Sequence, residues 1–312
     1  MGKSLRFPRF QSIGKAMPLT FGLAIFAAFF ASLANNPSNA RPHAPIQIPI
    51  QIQGYDGELM EPAISCDGNA LFFNNSNAPG NNTNIYWASR TSGNIFRFRG
   101  EVPNANSESL DGVASQDCTG FLYFMSVRSY FQDFETIYRT NIGTQHHNEG
   151  VEKVLGISKK HLGDLIFDVE ISRDGSILAA ADGVFDGATA PKQADIFFAK
   201  NVNGHFERMA NSAQILQNIN SDWLEYAPSM STDTLLLCFS RTRFGPMGLF
   251  GNDFRIMCAR RPNIEAPFAM PRTILQSQNV LEASSISNQG NEIYYHAKTR
   301  GKNRIFKIEY RG

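Results

Sequence analysis

One pattern is written five times between residues 55 and 312, and few folds can accommodate that. Each copy is an apolar run ending in serine, a tight turn, a second apolar run, a polar loop and an isoleucine-led third run. The first copy, Glu61 to Arg90, reads EPAISCDGNALFFNNSNAPGNNTNIYWASR. The serines closing the first runs are Ser65, Ser115, Ser172, Ser231 and Ser287, spaced by 50, 57, 59 and 56 residues. The isoleucines opening the third runs are Ile85, Ile137, Ile196, Ile256 and Ile305, spaced by 52, 59, 60 and 49. Two separate markers drifting together identify a true internal repeat.

The turns read CDGN, QDCTG, RDGS, TDT and NQGN. Asp-Gly and its relatives supply the positive-φ positions of a tight hairpin. The second runs include Ala70–Phe73, Phe121–Phe124, Ile177–Ala180, Leu235–Phe239 and Ile293–Tyr295. Short apolar runs rich in aromatic and branched residues, bounded by turns, read as buried strands. Fourth-strand candidates are Ile95–Phe98, Val151–Ile157, His205–Met209 and Arg272–Leu275. Four strands per copy, with no helical period past residue 41, predict an all-β, five-bladed β-propeller; a sandwich would not repeat its turn chemistry five times.

The run Glu61-Pro62-Ala63-Ile64-Ser65-Cys66-Asp67-Gly68 resembles the TolB-like (WD40-like) β-propeller repeat. Asp168-Val169-Glu170-Ile171-Ser172-Arg173-Asp174-Gly175 resembles it without the proline; the fourth copy keeps Pro228 and Ser231 but has Thr234 in place of glycine. The resemblance covers residues 55–312. It implies a fold and no particular activity, because function resides in sites grafted onto folds.

Lys3, Arg6, Arg9 and Lys15 precede an uncharged apolar stretch, Phe21 to Leu33, and two small-residue cleavage patterns, Ser32-Leu33-Ala34 and Ser38-Asn39-Ala40. Residues 1–40 therefore read as a secretory signal peptide too short to span a bilayer well. Residues 41–312 are expected to form one domain, periplasmic or secreted, with no transmembrane span after cleavage. The expected blades are 55–104, 105–162, 163–219, 220–278, and 279–312 completed by 45–54. The last copy lacks a fourth strand, while Ile46 to Gln53 alternates apolar and polar residues. Pairing that segment beside Arg304–Tyr310 would close the ring and remove two open edges.

The four cysteines of the exported part pair best as Cys66 with Cys118, in turns of neighbouring copies, and Cys238 with Cys258, on neighbouring strands; buried free thiols are the alternative. With 29 basic and 28 acidic residues, the net charge of +1 excludes a partner held by phosphate contacts, so no nucleic acid is expected.

In a meander, the loops leading into each first strand share a face with the loops between second and third strands. The second-to-third loops carry arginines and aromatics: Arg128, Tyr130, Phe131, Phe134, Phe185, Arg243, Phe244, Phe250 and Arg300. That mixture suits contact with a protein or a cell-envelope glycan. An acid precedes each anchor serine: Glu61, Asp111 and Asp168 by four residues, Glu282 by five and Glu225 by six. Five acids around a central channel would form a negative ring able to hold a cation or do acid–base chemistry. The same acids would equally serve as acceptors for backbone N–H groups at the strand starts. Glu61-Pro62 also resembles the acid-Pro pair of five-bladed glycosidases of the arabinanase kind, which would make Glu61, Asp111 and Asp168 catalytic carboxylates. No nucleophile elbow or zinc motif is present, the histidines have no metal-ligand spacing, and no cofactor is expected. The leading expectation is a non-catalytic binding propeller.

Overall fold

The computed structural model describes residues 44–77, 82–143, 150–187, 190–245 and 251–311. The expected leader, the His146-His147 pair and Phe250 lie outside the described residues.

Five antiparallel sheets follow one another along the chain. Blade 1 has β3 (Met60–Ile64), β4 (Ala70–Asn74), β5 (Ile85–Ser92) and β6 (Ile95–Glu101); blade 2 has β7 (Asp111–Gln116), β8 (Phe121–Ser126), β9 (Ile137–Asn141) and a two-residue β10 (Glu152–Lys153). Blade 3 has β11 (Asp164–Ile171), β12 (Ile177–Val184), β13 (Gln193–Val202) and β14 (His205–Arg208); blade 4 has β15 (Leu224–Met230), β16 (Leu236–Arg243), β17 (Asp253–Arg260) and β18 (Arg272–Ser277). Blade 5 has β19 (Leu281–Ile286), β20 (Glu292–Thr299) and β21 (Lys302–Glu309). Two single-turn helices, α1 (Tyr130–Asp133) and α2 (Ser212–Ile215), sit in connections. The chain is a five-bladed β-propeller. Apolar residues on both faces of each sheet build five cores, one between each pair of adjacent blades. This is why the middle strands read as continuous apolar runs rather than alternating ones.

The repeated serine has a specific task. Its N–H and carbonyl close the turn, and its hydroxyl accepts the N–H five residues on, as in Ser65 with Ala70, Ser172 with Ile177, Ser231 with Leu236 and Ser287 with Glu292. In blade 2 the equivalent residue is Asp117, not Ser115. Asp117 closes the turn with Phe121, and its Oδ1 accepts the N–H groups of Thr119, Gly120 and Phe121. A carboxylate there does the work of both serine and turn aspartate, which corrects the alignment of the second copy by two residues. Thr234 takes the positive φ (+56°) that glycine fills in Gly68 and Gly175, held by bonds from Arg261 to its carbonyl and hydroxyl.

Ring closure differs from expectation. Only β1 (Ile48–Pro49) pairs with β21, with Ile48 opposite Lys307. The next residues, β2 (Gln51–Gln53), run parallel to β6 and become a fifth strand of blade 1. Pro49 has no N–H to extend a ladder. The Ile50 N–H bonds to the carbonyl of Ile305 while its side chain is buried in the core between blades 5 and 1. The segment is thus a strap across two blades, covering one edge of each. Both disulfides form: Cys66–Cys118 joins blades 1 and 2, and Cys238–Cys258 links opposed residues of β16 and β17.

Two predictions follow from closure and cross-linking. Deleting residues 44–53 should lower the melting midpoint of the whole domain in circular dichroism and promote association through the bared edges; an unchanged midpoint in a soluble monomer would refute the strap. Replacing Cys66 and Cys118 together by serine should cost about 4 kcal/mol in the loop-closure picture, against about 3 for replacing Cys238 and Cys258 by alanine, measured by denaturant unfolding.

Candidate functional site

The five innermost strands, β3, β7, β11, β15 and β19, line a central channel. Each presents one edge to the channel with no strand to pair with it, so its N–H groups need other acceptors. Each is also bulged: the register shifts against the second strand, and a non-glycine residue sits at positive φ. These residues are Glu61 (+49°), Val113 (+52°), Asp168 (+54°), Ala227 (+47°) and Ala283 (+60°). A left-handed non-glycine residue costs on the order of 1–2 kcal/mol. The return is that the bulge turns N–H groups toward the neighbouring blade. Val113 donates to Asn74 Oδ1 (3.3 Å), Ala283 to Ser240 Oγ (2.9 Å), and Glu61 to His296 Nδ1 (3.2 Å). Asn74, Ser240 and His296 occupy one structural position on the second strand. Ala181 fills that position in blade 3, and Asp168 Oδ2 accepts the Ala227 N–H instead (3.1 Å). A second tier of bonds lies lower in the channel, from Ile64 to Ser285, Ile171 to Ser115, Met230 to Glu170 and Ile286 to Ser229.

The expected ring of five acids is not what the bulges produce. Asp111 and Glu225 are fully buried away from it, each pinning its own lead-in loop. Asp111 accepts the N–H and hydroxyl of Ser107 and pairs with Arg128 at 2.6 Å; Glu225 accepts the same two groups from Ser221 and pairs with Arg241 at 2.7 Å. Their side chains approach the strand start from the loop because both lie two residues before the bulge, once Asp117 is used as the anchor. Three acids do converge, Glu61, Asp168 and Glu282, together with His296 and Tyr226, which no spacing argument had singled out. Their only sequence signal is a polar residue interrupting an apolar strand, as in Tyr294-Tyr295-His296.

The Glu61 N–H points at Nδ1 of His296, which places the ring proton on Nε2. Burial would lower the imidazole, but the carboxyls of Glu282 and Glu61 beside it raise it above its usual range. Nε2 lies 3.4 Å from Glu282 Oε1 and has no other partner. The Tyr226 hydroxyl donates to Glu282 and is itself within 2.9 Å of Thr242 Oγ1. Burial would raise Glu282, but the donors His296 and Tyr226 outweigh it and hold the carboxyl below its usual range. Burial pushes Glu61 up to about 8, as it does Asp168, with the charge of Glu282 adding to both. Glu61, Glu282 and His296 offer ligand atoms within 4.8 Å of one another. A cation on Nε2 would, however, require the imidazole proton to move to Nδ1 and break the bond from Glu61. The channel beside them has a cavity of about 20 Å³, room for about one water.

The loop residues divide likewise. Arg128 lies over Phe124 and Tyr138 as well as pairing with Asp111, and Tyr130 is buried, its hydroxyl donating to the Asp164 carbonyl and accepting the Gly163 N–H. These two hold loops in place rather than facing solvent. Phe134 packs edge-on to Tyr130, and Phe185 to Phe167. Phe131 is 85% exposed and Phe244 42%, and Arg243 and Arg300 are exposed. Arg243 and Arg255 both lie over Trp223, at 5.7 and 4.7 Å.

No family profile matches the sequence, and no curated protein matches it. Solved structures do. A glycoside hydrolase aligns at TM-score 0.58 and 10% identity, over 86% of this chain and 92% of that one. The likeness is one of fold. The endo-arabinase from Bacteroides thetaiotaomicron aligns at 0.52 and 12%, over 85% and 98%; TolB from Acinetobacter baumannii aligns at 0.43 and 14%, over 82% of this chain and 55% of that one.

The raised acids set a pH dependence. A carboxyl raised from 4.5 (Glu61) or 3.8 (Asp168) to about 8 on folding leaves stability intact below the unfolded value and lowers it as pH rises through the folded one. Thermal melts should therefore fall between about pH 4.5 and 8. Glu61→Gln and Asp168→Asn keep the acceptor oxygens and should flatten that fall, melting above the parent at pH 8 and near it at pH 5. A parent-like slope in both variants would show that these groups are not buried as neutral acids.

Proposed function

We propose that the chain is an exported, non-catalytic propeller that binds a protein or a cell-envelope glycan through the face made by its lead-in and second-to-third-strand loops. The observation that carries this reading is the sealing of the channel acids. Glu61 and Asp168 are each 6% exposed and His296 is fully buried, beside a cavity with room for about one water. That space is too small for a sugar ring, and of the three acids only Glu282, 16% exposed, has appreciable accessible surface. Asp111 and Glu225 are committed to arginines and loop N–H groups. The face above instead presents Phe131, Phe244 and Leu162, the last 64% exposed, and the Arg-flanked Trp223. Exposed aromatics with arginines are the residue types that dominate binding hot spots. The two disulfides fit an oxidising compartment, and no described helix is long and apolar enough to cross a membrane.

A glycosidase reading keeps one specific support: Glu61 is raised and Glu282 lowered within one small cluster, the split expected of an acid and its partner carboxylate. A panel of arabinans, xylans and aryl glycosides separates the two readings. No turnover is expected; turnover abolished by Asp168→Asn with the melt unchanged would establish the enzyme. Pull-down from the exporting compartment should recover a partner, and the double variant Phe131→Ser/Phe244→Ser should lose it by at least tenfold.

A further inference from the structure

The face opposite those loops carries the Asp-Gly turns, and grooves open there between neighbouring blades. Two of them, of about 320 and 340 Å³, are walled by polar and charged turn residues such as Arg90, Glu292 and Arg260. The groove between blades 1 and 2 is different. It encloses about 530 Å³, within the range of small-molecule sites. Phe72, Trp87, Val102, Pro103 and Ile142 form its apolar walls, and the Cys66–Cys118 disulfide spans the two turns that border it.

Its polar groups point to an occupant. Trp87 is half-buried, and its indole N–H has no hydrogen-bond partner among the described residues. Gln116 uses its Oε1 to accept the Cys66 N–H, and Asn141 uses its Oδ1 to accept the Gly143 N–H. The amide NH₂ groups of both have no protein partner among the described residues. Asp117 is 1% exposed; its Oδ1 takes three turn N–H groups and its Oδ2 lies toward Gly175 of blade 3, so it is a wall of the groove rather than an acceptor in it. The groove thus offers one flat aromatic wall and three donors without a protein partner among the described residues.

We propose that this groove binds a neutral oligosaccharide. A pyranose has an apolar C–H face that packs on an indole and a rim of hydroxyls that both donate and accept. The lining contains no Lys, Arg or His and has two carboxylates, Asp67 and Asp117, so phosphates and uronates are disfavoured. A cation would leave three donors facing it, and a wholly apolar peptide would bury them unpaired, which costs the desolvation of each. The hydroxyls of a sugar can accept from all three donors. The disulfide joins the two walls and so preorganises the groove, which lowers the ordering cost of binding.

The protein has two tryptophans, so Trp223→Phe, on the other face, leaves Trp87 as sole reporter. Titrating that variant with neutral gluco-, xylo-, arabino- and N-acetylglucosamine oligomers should give saturable fluorescence change with at least one, and oligogalacturonate should give none. Calorimetry on the otherwise unaltered protein should show at least tenfold weaker binding in Gln116→Ala and none detectable in Trp87→Ala. Should Trp87→Ala fail to fold, Gln116→Ala and Asn141→Ala carry the comparison. Silence across the neutral panel at millimolar concentration overturns the proposal, as does response to apolar peptides in place of sugars. Sugar binding moved by Phe131→Ser and indifferent to Trp87 and Gln116 would also overturn it while leaving the loop-face reading intact.

Discussion

The structure depends on how the innermost strands satisfy their channel-facing N–H groups. Each such strand is a permanent sheet edge, and an unpaired buried N–H costs as much as a lost hydrogen bond. The answer is a bulge at Glu61, Val113, Asp168, Ala227 or Ala283, with acceptors from the neighbouring blade: His296, Asn74, Asp168 and Ser240 above, and Ser285, Ser115, Glu170 and Ser229 below. The blades are therefore joined by directional bonds as well as by apolar packing. The tolerated strain at φ > 0 is balanced by this ring of bonds rather than by function.

The channel chemistry is a by-product of that requirement. Where the acceptor is Asn74 or Ser240, nothing titrates; where it is His296, an imidazole enters a dry space already holding three carboxyls. Only Glu282 has donors enough to remain charged. The outcome is a small cluster of hydrogen-bonded acids and one imidazole at the junction of blades 1, 3, 4 and 5.

Much of the fold was legible in sequence because turns and buried strands are local. Asp-Gly turns, Ser65 and its counterparts, and runs such as Phe121–Phe124 determine strand, turn and blade without reference to distant residues. The failures are non-local. Ser115 reads as the turn serine because serine is used both in the turns and along the channel, and the hydrogen bonds reveal Asp117 as the true equivalent. That two-residue offset also made Asp111 look like a channel acid. His296 and Tyr226 gave no signal because their role depends on which blade lies beside them. The strap at Ile48–Gln53 was half legible: its alternation announced a strand, but a proline's missing donor and the burial of Ile50 decided that two blades share it.

That shared strap has a kinetic meaning. Gln47 meets Tyr295 across 248 residues of chain, and contacts of such separation form late because loop closure must precede them. Blades 2, 3 and 4 are made of consecutive hairpins and can assemble as they emerge. Blade 1 receives its covering strand β2 from the same end of the chain, whereas blade 5 keeps an open edge on β21 until β1 reaches it. A chain threaded through a membrane from its N-terminus would carry β1 unpaired for the whole passage. The interval before closure is then the one in which a chaperone, or a second copy, would find a strand to pair with.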